Sequence, residues 1–255
     1  MVTLMKLRLA APASLIDINN VPELTRIREE SGEIVIGALT RHDQLANDPK
    51  IRSRYMLLAE AANAIADQQV RNRGTIGGSL AHADPTADLP TACSALGATI
   101  VAANKNGVRQ IKSDNFFSDY FTTTLRSDEI IQEVRIPILQ TGSGGAYLKV
   151  TKGHNDFAIV AVAAQLTVDS GLVCRAASVA LGGVASTPVH AKETENHLTD
   201  RKLSDLVIDE SAEKAYQSLN PPSDIRASSK YRLEMVKVLT RRAIRLAAER
   251  TRGGH

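Results

Sequence analysis

Residues 71–90, RNRGTIGGSLAHADPTADLP, gather the side chains in this chain best suited to chemistry. A Thr-Ile-Gly-Gly-Ser run, Thr75 to Ser79, is followed by Asp84, Pro85 and Asp88. Two adjacent glycines clear side chains from a place that something must approach closely, and successive amides of a Gly-rich turn can form a concave nest for an anion. Thr75 and Ser79 add hydroxyl donors on either side. The combination suits a phosphate-bearing ligand. It is not a nicotinamide-type fingerprint, which would read G-x-G-x-x-G between a strand and a helix. A plainer reading is a tight turn entering a helix capped by Asp84, with Pro85 in its first turn. That geometry leaves the glycine pair and its hydroxyl flanks unexplained, so the ligand reading is preferred.

The rest of the chain must supply a frame. Its 255 residues suffice for one large domain or two modest ones. Hydrophobic content of 43% and charge of 23% are those of an ordinary soluble globular protein. A net charge of +3, with 4% aromatics and no Trp, argues against a nucleic-acid platform. No stretch approaches the roughly 20 apolar residues of a membrane span. The opening MVTLMKLRLAAPASLIDI is interrupted by Lys6, Arg8 and Pro12 and does not read as a signal peptide, so a cytoplasmic location is expected. Cys93 and Cys174 cannot by themselves build an iron–sulfur cluster or a Cys-rich zinc site. They are expected to be free buried thiols.

The first half reads as alternating short strands and helices. Leu15 to Ile18 and Glu33 to Ala38 read as strands, the second feeding Thr40 as an N-cap. Met56 to Ala66 suits a helix. After the glycine loop come a short helix near Asp88 to Leu96, a strand at Ala98 to Ala103, and a hairpin through Asn104–Gly107 to Val108–Ile111. Ile130 to Ile136 alternates as an outer strand would. Thr141 to Gly145, TGSGG, reads as a hinge at a domain boundary. Beyond it, Ala158 to Val168 and Leu172 to Leu181 are apolar strands joined at Asp169-Ser170-Gly171. The tail is helical, with Leu233, Val236, Thr240, Ala243 and Ala247 on one face. Lys237, Arg241, Arg242 and Arg245 lie elsewhere, read as a solvated face in preference to a dock for an acidic partner.

The 71–90 segment resembles the flavin loop of the FAD-binding medium subunit of molybdenum hydroxylases, the xanthine dehydrogenase and aerobic carbon monoxide dehydrogenase group. That family carries R-N-x-G-T-I-G-G-[NS]-L-x-x-A-D-P-x-x-D-x-P. Arg71, Asn72, Gly74 through Leu80, Ala83, Asp84, Pro85, Asp88 and Pro90 match it. Three further runs, Met5 to Leu24, Gly37 to Leu45 and Gly144 to Leu166, resemble family segments. In the last, Lys149 and Asp156-Phe157-Ala158 fall on family positions, while Lys152 and His154 occupy a stretch that often carries arginine. The family also has an A-G-G-[QHT]-S-L loop just before the first of these runs. The chain as given begins at Met1, where that loop would end, so weaker FAD binding is expected than in a relative with both loops. A gene start placed too late and a genuine truncation both fit.

The resemblance implies an α+β protein: a two-part FAD-binding domain of the vanillyl-alcohol-oxidase-like (PCMH) type over residues 1–141, then a small α+β C-terminal domain over 145–249. It implies that Thr75, Ile76, Gly77, Gly78 and Ser79 meet the FAD diphosphate, that Asp88 accepts from FAD hydroxyls, and that Ile65, Ile131 and Lys149 line the flavin. Ile131 also reads simply as core. The implied role is electron transfer from [2Fe–2S] clusters in a small partner subunit, through this FAD, to an external acceptor. A molybdopterin-binding large subunit would hydroxylate the substrate, and the assembly would be a dimer of heterotrimers. No catalytic acid or base and no metal is expected in this chain. His82 reads as a hydrogen-bonded structural histidine before a proton carrier. A flavin-free scaffold subunit is the alternative, and a self-contained flavin oxidase ranks last.

Overall fold

The computed structural model describes residues 5–252; the first four residues of the opening apolar run and residues 253–255 lie outside it. The strand β1 (Ile27–Glu30) pairs with β2 (Glu33–Gly37) through a tight turn. Helices α1 (His42–Asn47), α2 (Pro49–Arg54), α3 (Met56–Asn63), α4 (Gln68–Arg71), α5 (Ile76–His82) and α6 (Asp88–Ala95) follow. Then come β3 (Thr99–Asn104), β4 (Gly107–Lys112), the two-stranded ribbon β5 (Phe117–Asp119) and β6 (Thr122–Thr123), and β7 (Ile130–Pro137). These build an antiparallel sheet of order β1-β2-β7-β3-β4. Ile34, Ile36, Ile100, Val134 and Ile136 pack with Leu57, Leu58, Ile76, Leu80 and Leu89 of the helices.

A second antiparallel sheet, order β11-β10-β9-β8, joins β8 (Ser143–Thr151), β9 (Ala158–Val168), β10 (Cys174–Gly182) and β11 (Val189–His190). The helices α7 (Lys192–Leu198), α8 (Asp205–Ala212) and α9 (Ser229–Arg250) follow. Val236, Ala243, Ile244 and Ala247 of α9 seal one face of this sheet. Its other face joins the first core through Tyr147, Ala158, Ala161, Ala163 and Ala180. The strand β9 is thus covered on both sides, which is why its sequence is continuously apolar and does not alternate.

Several expectations are corrected. Leu15 to Ile18 forms no strand: Leu15 is 63% and Ile16 87% exposed, so the run buries nothing that would select a sheet. The strand β7 is central, not outer, because a strand in a sheet with one covered face alternates wherever it sits. Arg41, not Thr40, caps α1, its amide donating to Gln44 Oε1 at 2.8 Å, while the Thr40 hydroxyl is buried without a partner. The helix α3 stops at Asn63, and Ala66 beyond it takes a left-handed φ of +37°. Gly144 and Gly145 are not a hinge. They lie within β8, where a Cβ on Gly144 would strike the Ala247 carbonyl of α9 and one on Gly145 would press on Leu57. Lys237, Arg241 and Arg245 are not merely solvated, since they pair with Asp205 and Asp209 of α8 and with Glu213, which caps its C-terminus.

Candidate functional site

Segments distant in sequence close around one cleft of about 370 Å³. Its lining is His42 of α1, Ile65, Val70 of α4, Gly78, Ser79 and His82 of α5, Asp84, Ala87, Asp88 at the start of α6, and Phe157 between β8 and β9. A second opening of about 420 Å³ is lined by Asn63, Ala64, Ala66, Arg71, Lys149, Thr151, His154, Asn155 and Asp156. The two openings adjoin where the Lys149 ammonium stands 2.9 Å from the Asp88 carboxylate.

The glycine run is not the open turn its sequence suggests. It is the first turn of α5, entered from Thr75 as N-cap, whose hydroxyl accepts from the Gly78 amide at 3.1 Å. The amides of Ile76 and Gly77 donate to Thr40 O (3.1 Å) and Ala38 O (2.8 Å). The expected amide nest is therefore filled by the protein's own acceptors. Asp84 likewise caps no helix; it accepts from the Thr86 amide (2.8 Å) and hydroxyl (2.6 Å), and α6 begins after Ala87. The two glycines have separate tasks. A Cβ on Gly77 would lie 2.6 Å from Ala38 Cβ and 2.8 Å from Ala38 O, so this glycine lets α5 dock on the connection after β2. Gly78 is exposed and leaves its part of the cleft wall bare.

Asp88 is 4% exposed. Tyr147 donates its hydroxyl to Asp88 Oδ1 at 2.6 Å, and Lys149 Nζ also donates to Asp156 O at 3.2 Å. Burial pushes the Asp88 carboxyl up against the opposing pull of Lys149 and Tyr147, and burial pushes the Tyr147 phenol well above its ordinary range. Asp88 is thus engaged inside the protein, a partner set that spacing along the chain could not reveal.

Of the other expected residues, Ile65 lines the cleft and Ile131 does not. Ile131 lies on β7, 7% exposed and packed in the first core. His82 is corrected: it is exposed, its ring 5.3 Å from that of Phe121, and its imidazole makes no hydrogen bond to another described residue. The histidine missed is His42, within the GALTRHDQL run. It is 5% exposed, its Nδ1 has no partner, and burial, helped by Arg41 and Arg71, pulls its pKa down to about 4. Gly74 was its signal, because a Cβ there would lie 2.5 Å from His42 Nε2. Cys93 and Cys174 are free and buried, and burial pushes their thiols up to about 12 and about 11. No group of three or more metal-ligating side chains occurs among the described residues.

The lining fits a large aromatic cofactor with polar arms. Ile65, Val70 (45% exposed) and Phe157 (44% exposed) offer apolar surface, and Gly78 and Ser79 a bare polar wall. Residues 1–139 match the family model for the FAD binding domain in molybdopterin dehydrogenase, and residues 145–247 that for the CO dehydrogenase flavoprotein C-terminal domain. The chain is an FAD-binding subunit of the molybdenum hydroxylase family. Its cofactor is FAD, and its relatives are oxidoreductase subunits. It is 38% identical to the 6-hydroxypseudooxynicotine dehydrogenase complex subunit alpha of Paenarthrobacter nicotinovorans, over 99% of this chain and 85% of that one. It is 37% identical to the carbon monoxide dehydrogenase medium chain of Hydrogenophaga pseudoflava, over 96% and 85%. Carbon monoxide dehydrogenase from the latter organism superposes with a TM-score of 0.93 at 38% identity, covering 98% of this chain and 86% of that one. Quinoline 2-oxidoreductase from Pseudomonas putida 86 gives 0.92 at 34% identity, covering 98% and 87%. No helix among the described residues is long and apolar enough to cross a membrane.

Proposed function

We propose that this FAD subunit, a cytoplasmic protein, takes electrons from [2Fe–2S] clusters of a small partner subunit and delivers them to an external acceptor, in a dimer of heterotrimers completed by a molybdopterin-binding large subunit. FAD, when bound, supplies the redox chemistry, and the protein supplies position and electrostatics. The observation that carries the reading is the cleft between α5 and Phe157, whose apolar wall lies beside Asp88, the partner of the largely buried Lys149 ammonium in the adjoining opening.

Within it, Gly78 and Ser79 offer the polar wall for the diphosphate, and Thr75, Ile76 and Gly77 hold that wall in place. Ile65 and Phe157 exclude water from the ring. Lys149, tied to Asp88 where the two openings adjoin, would lend positive charge to a bound ring. Ile131 supports the sheet behind the site. Residues 1–141 and 145–249 serve as the FAD-binding and C-terminal domains.

The test is flavin content and reduction. The chain is purified alone and with its partner subunits, and the flavin-to-protein ratio is read from visible absorbance. Stoichiometric flavin that bleaches when substrate is added to the complex supports the reading. Absence of flavin from both preparations sinks it.

A further inference from the structure

Phe157 lines the cleft from a loop and is 44% exposed, so its ring needs holding. Two contacts hold it. Its amide donates to Asp156 Oδ1 at 2.8 Å, and the Arg226 guanidinium carbon stands over the ring, 5.5 Å from its centroid. That distance is within cation–π range. Arg226 belongs to the connection before α9, beside Ile225, which is 90% exposed.

The connection is anchored from within. Asp224 accepts from the amides of Arg226 (2.9 Å) and Ala227 (3.0 Å), and its carboxylate accepts from Arg232 Nη2 at 2.7 Å. Arg232 is 1% exposed, an unusual state for a guanidinium. Its Nη1 donates to the carbonyls of Ile159 and Gly183, at the ends of β9 and β10. Those same strand ends reach the cleft: the Gly183 amide donates to Pro85 O at 2.9 Å, and the Ala158 amide to Thr86 O at 3.4 Å. One buried arginine therefore ties the connection and the Asp84–Asp88 turn to a single frame.

We propose that Arg226 is a positioning residue of the cleft, holding the Phe157 ring against it, with Asp224 and Arg232 holding Arg226. The consequence for flavin rests on the function proposed above, whereas the geometry does not, and the two are tested apart.

The chain has no Trp, so a Phe157→Trp chain carries a single indole at the cleft. In that background, Arg226→Gln should raise acrylamide quenching of the indole and lower its anisotropy, through a roughly two- to five-fold gain in undocked ring. Arg226→Lys, which keeps the cation, should stay near the parent. Asp224→Asn, which loosens the connection without touching the ring, should move quenching in the direction of Arg226→Gln and decides the matter if that variant does not fold. In the intact complex with Phe157 restored, Arg226→Gln should shift the flavin midpoint potential and visible circular dichroism, and Arg226→Lys should not. Quenching that is the same in the parent, the Gln and the Asn chains overturns the proposal. A complex without flavin overturns the function reading and leaves the quenching series to judge the positioning.

Discussion

The Lys149 ammonium lies 2.9 Å from the Asp88 carboxylate, with 11% and 5% of the two side chains exposed. The pair joins β8 of the second sheet to the first turn of α6, a helix of the first core. Charges this buried are held by each other and by the Tyr147 hydroxyl, because water can no longer solvate them.

Removing one partner should therefore hurt more than removing both. Asp88→Asn leaves an uncompensated ammonium and should destabilise by about 3–5 kcal/mol. Adding Lys149→Met should recover most of that loss. Unfolding of the parent, both single variants and the double variant measures the coupling. A double variant as unstable as the sum of the singles would show that the two charges act independently.

The adjacent glycines should separate folding from cofactor binding. Gly77→Ala drives a methyl into Ala38 and should cost about 1–3 kcal/mol. Gly78→Ala meets only Thr75 Oγ1, at 2.9 Å, and gains helix propensity, so its stability should stay within about 1 kcal/mol of the parent. Its methyl enters the cleft wall, however, and should lower the flavin-to-protein ratio. Full flavin in the Gly78→Ala chain would remove Gly78 from the site.

Two histidines should titrate in opposite directions. His190 Nδ1 is 2.7 Å from Glu195 Oε1, while its Nε2 is 2.9 Å from Ser94 Oγ and 3.2 Å from Asp114. The Glu195 hydrogen bond raises the His190 pKa above the ordinary 6.5. Its stabilisation is fully present below pH 6.5 and is lost as pH rises through the folded value. Burial alone would raise Glu195, yet His190, the Val179 amide and Lys192 hold it below the ordinary 4.5, so its share is lost only as pH falls below that. The penalty of His190→Gln, measured as the drop in Tm, should be largest between these limits and shrink at alkaline pH. His42, pulled down to about 4, stays neutral through this range and draws stability down as pH falls from 6.5 toward 4. Imidazole titration by NMR checks both signs.

Much of the cleft was legible because its signals are local. Gly77, Gly78 and Ser79 stand out in a short run, and α6, β3, β4, β9 and α9 follow from periodicity and turn residues near at hand. Two of the misreadings share a cause: they concern what faces an element. The strand β7 alternates whether it is central or outer, and Lys237, Arg241 and Arg245 look solvated until α8 and its C-cap bring Asp209 and Glu213 beside them. Arg232 carried no signal at all, since its acceptors at Ile159 and Gly183 belong to strands far back in the chain.

The sequence by itself determined the run that forms the cleft wall, because that rests on residue types at short, fixed spacing, and through this run's resemblance to a family it implied FAD. Only the tertiary structure decided that the α5 amides are spent on Ala38 and Thr40, that Asp88 is paired with Lys149 and Tyr147, and that His42 is buried and neutral. Hydrogen bonding, burial and charge pairing depend on distance in space, and in each of these cases the partner comes from a different element of the fold.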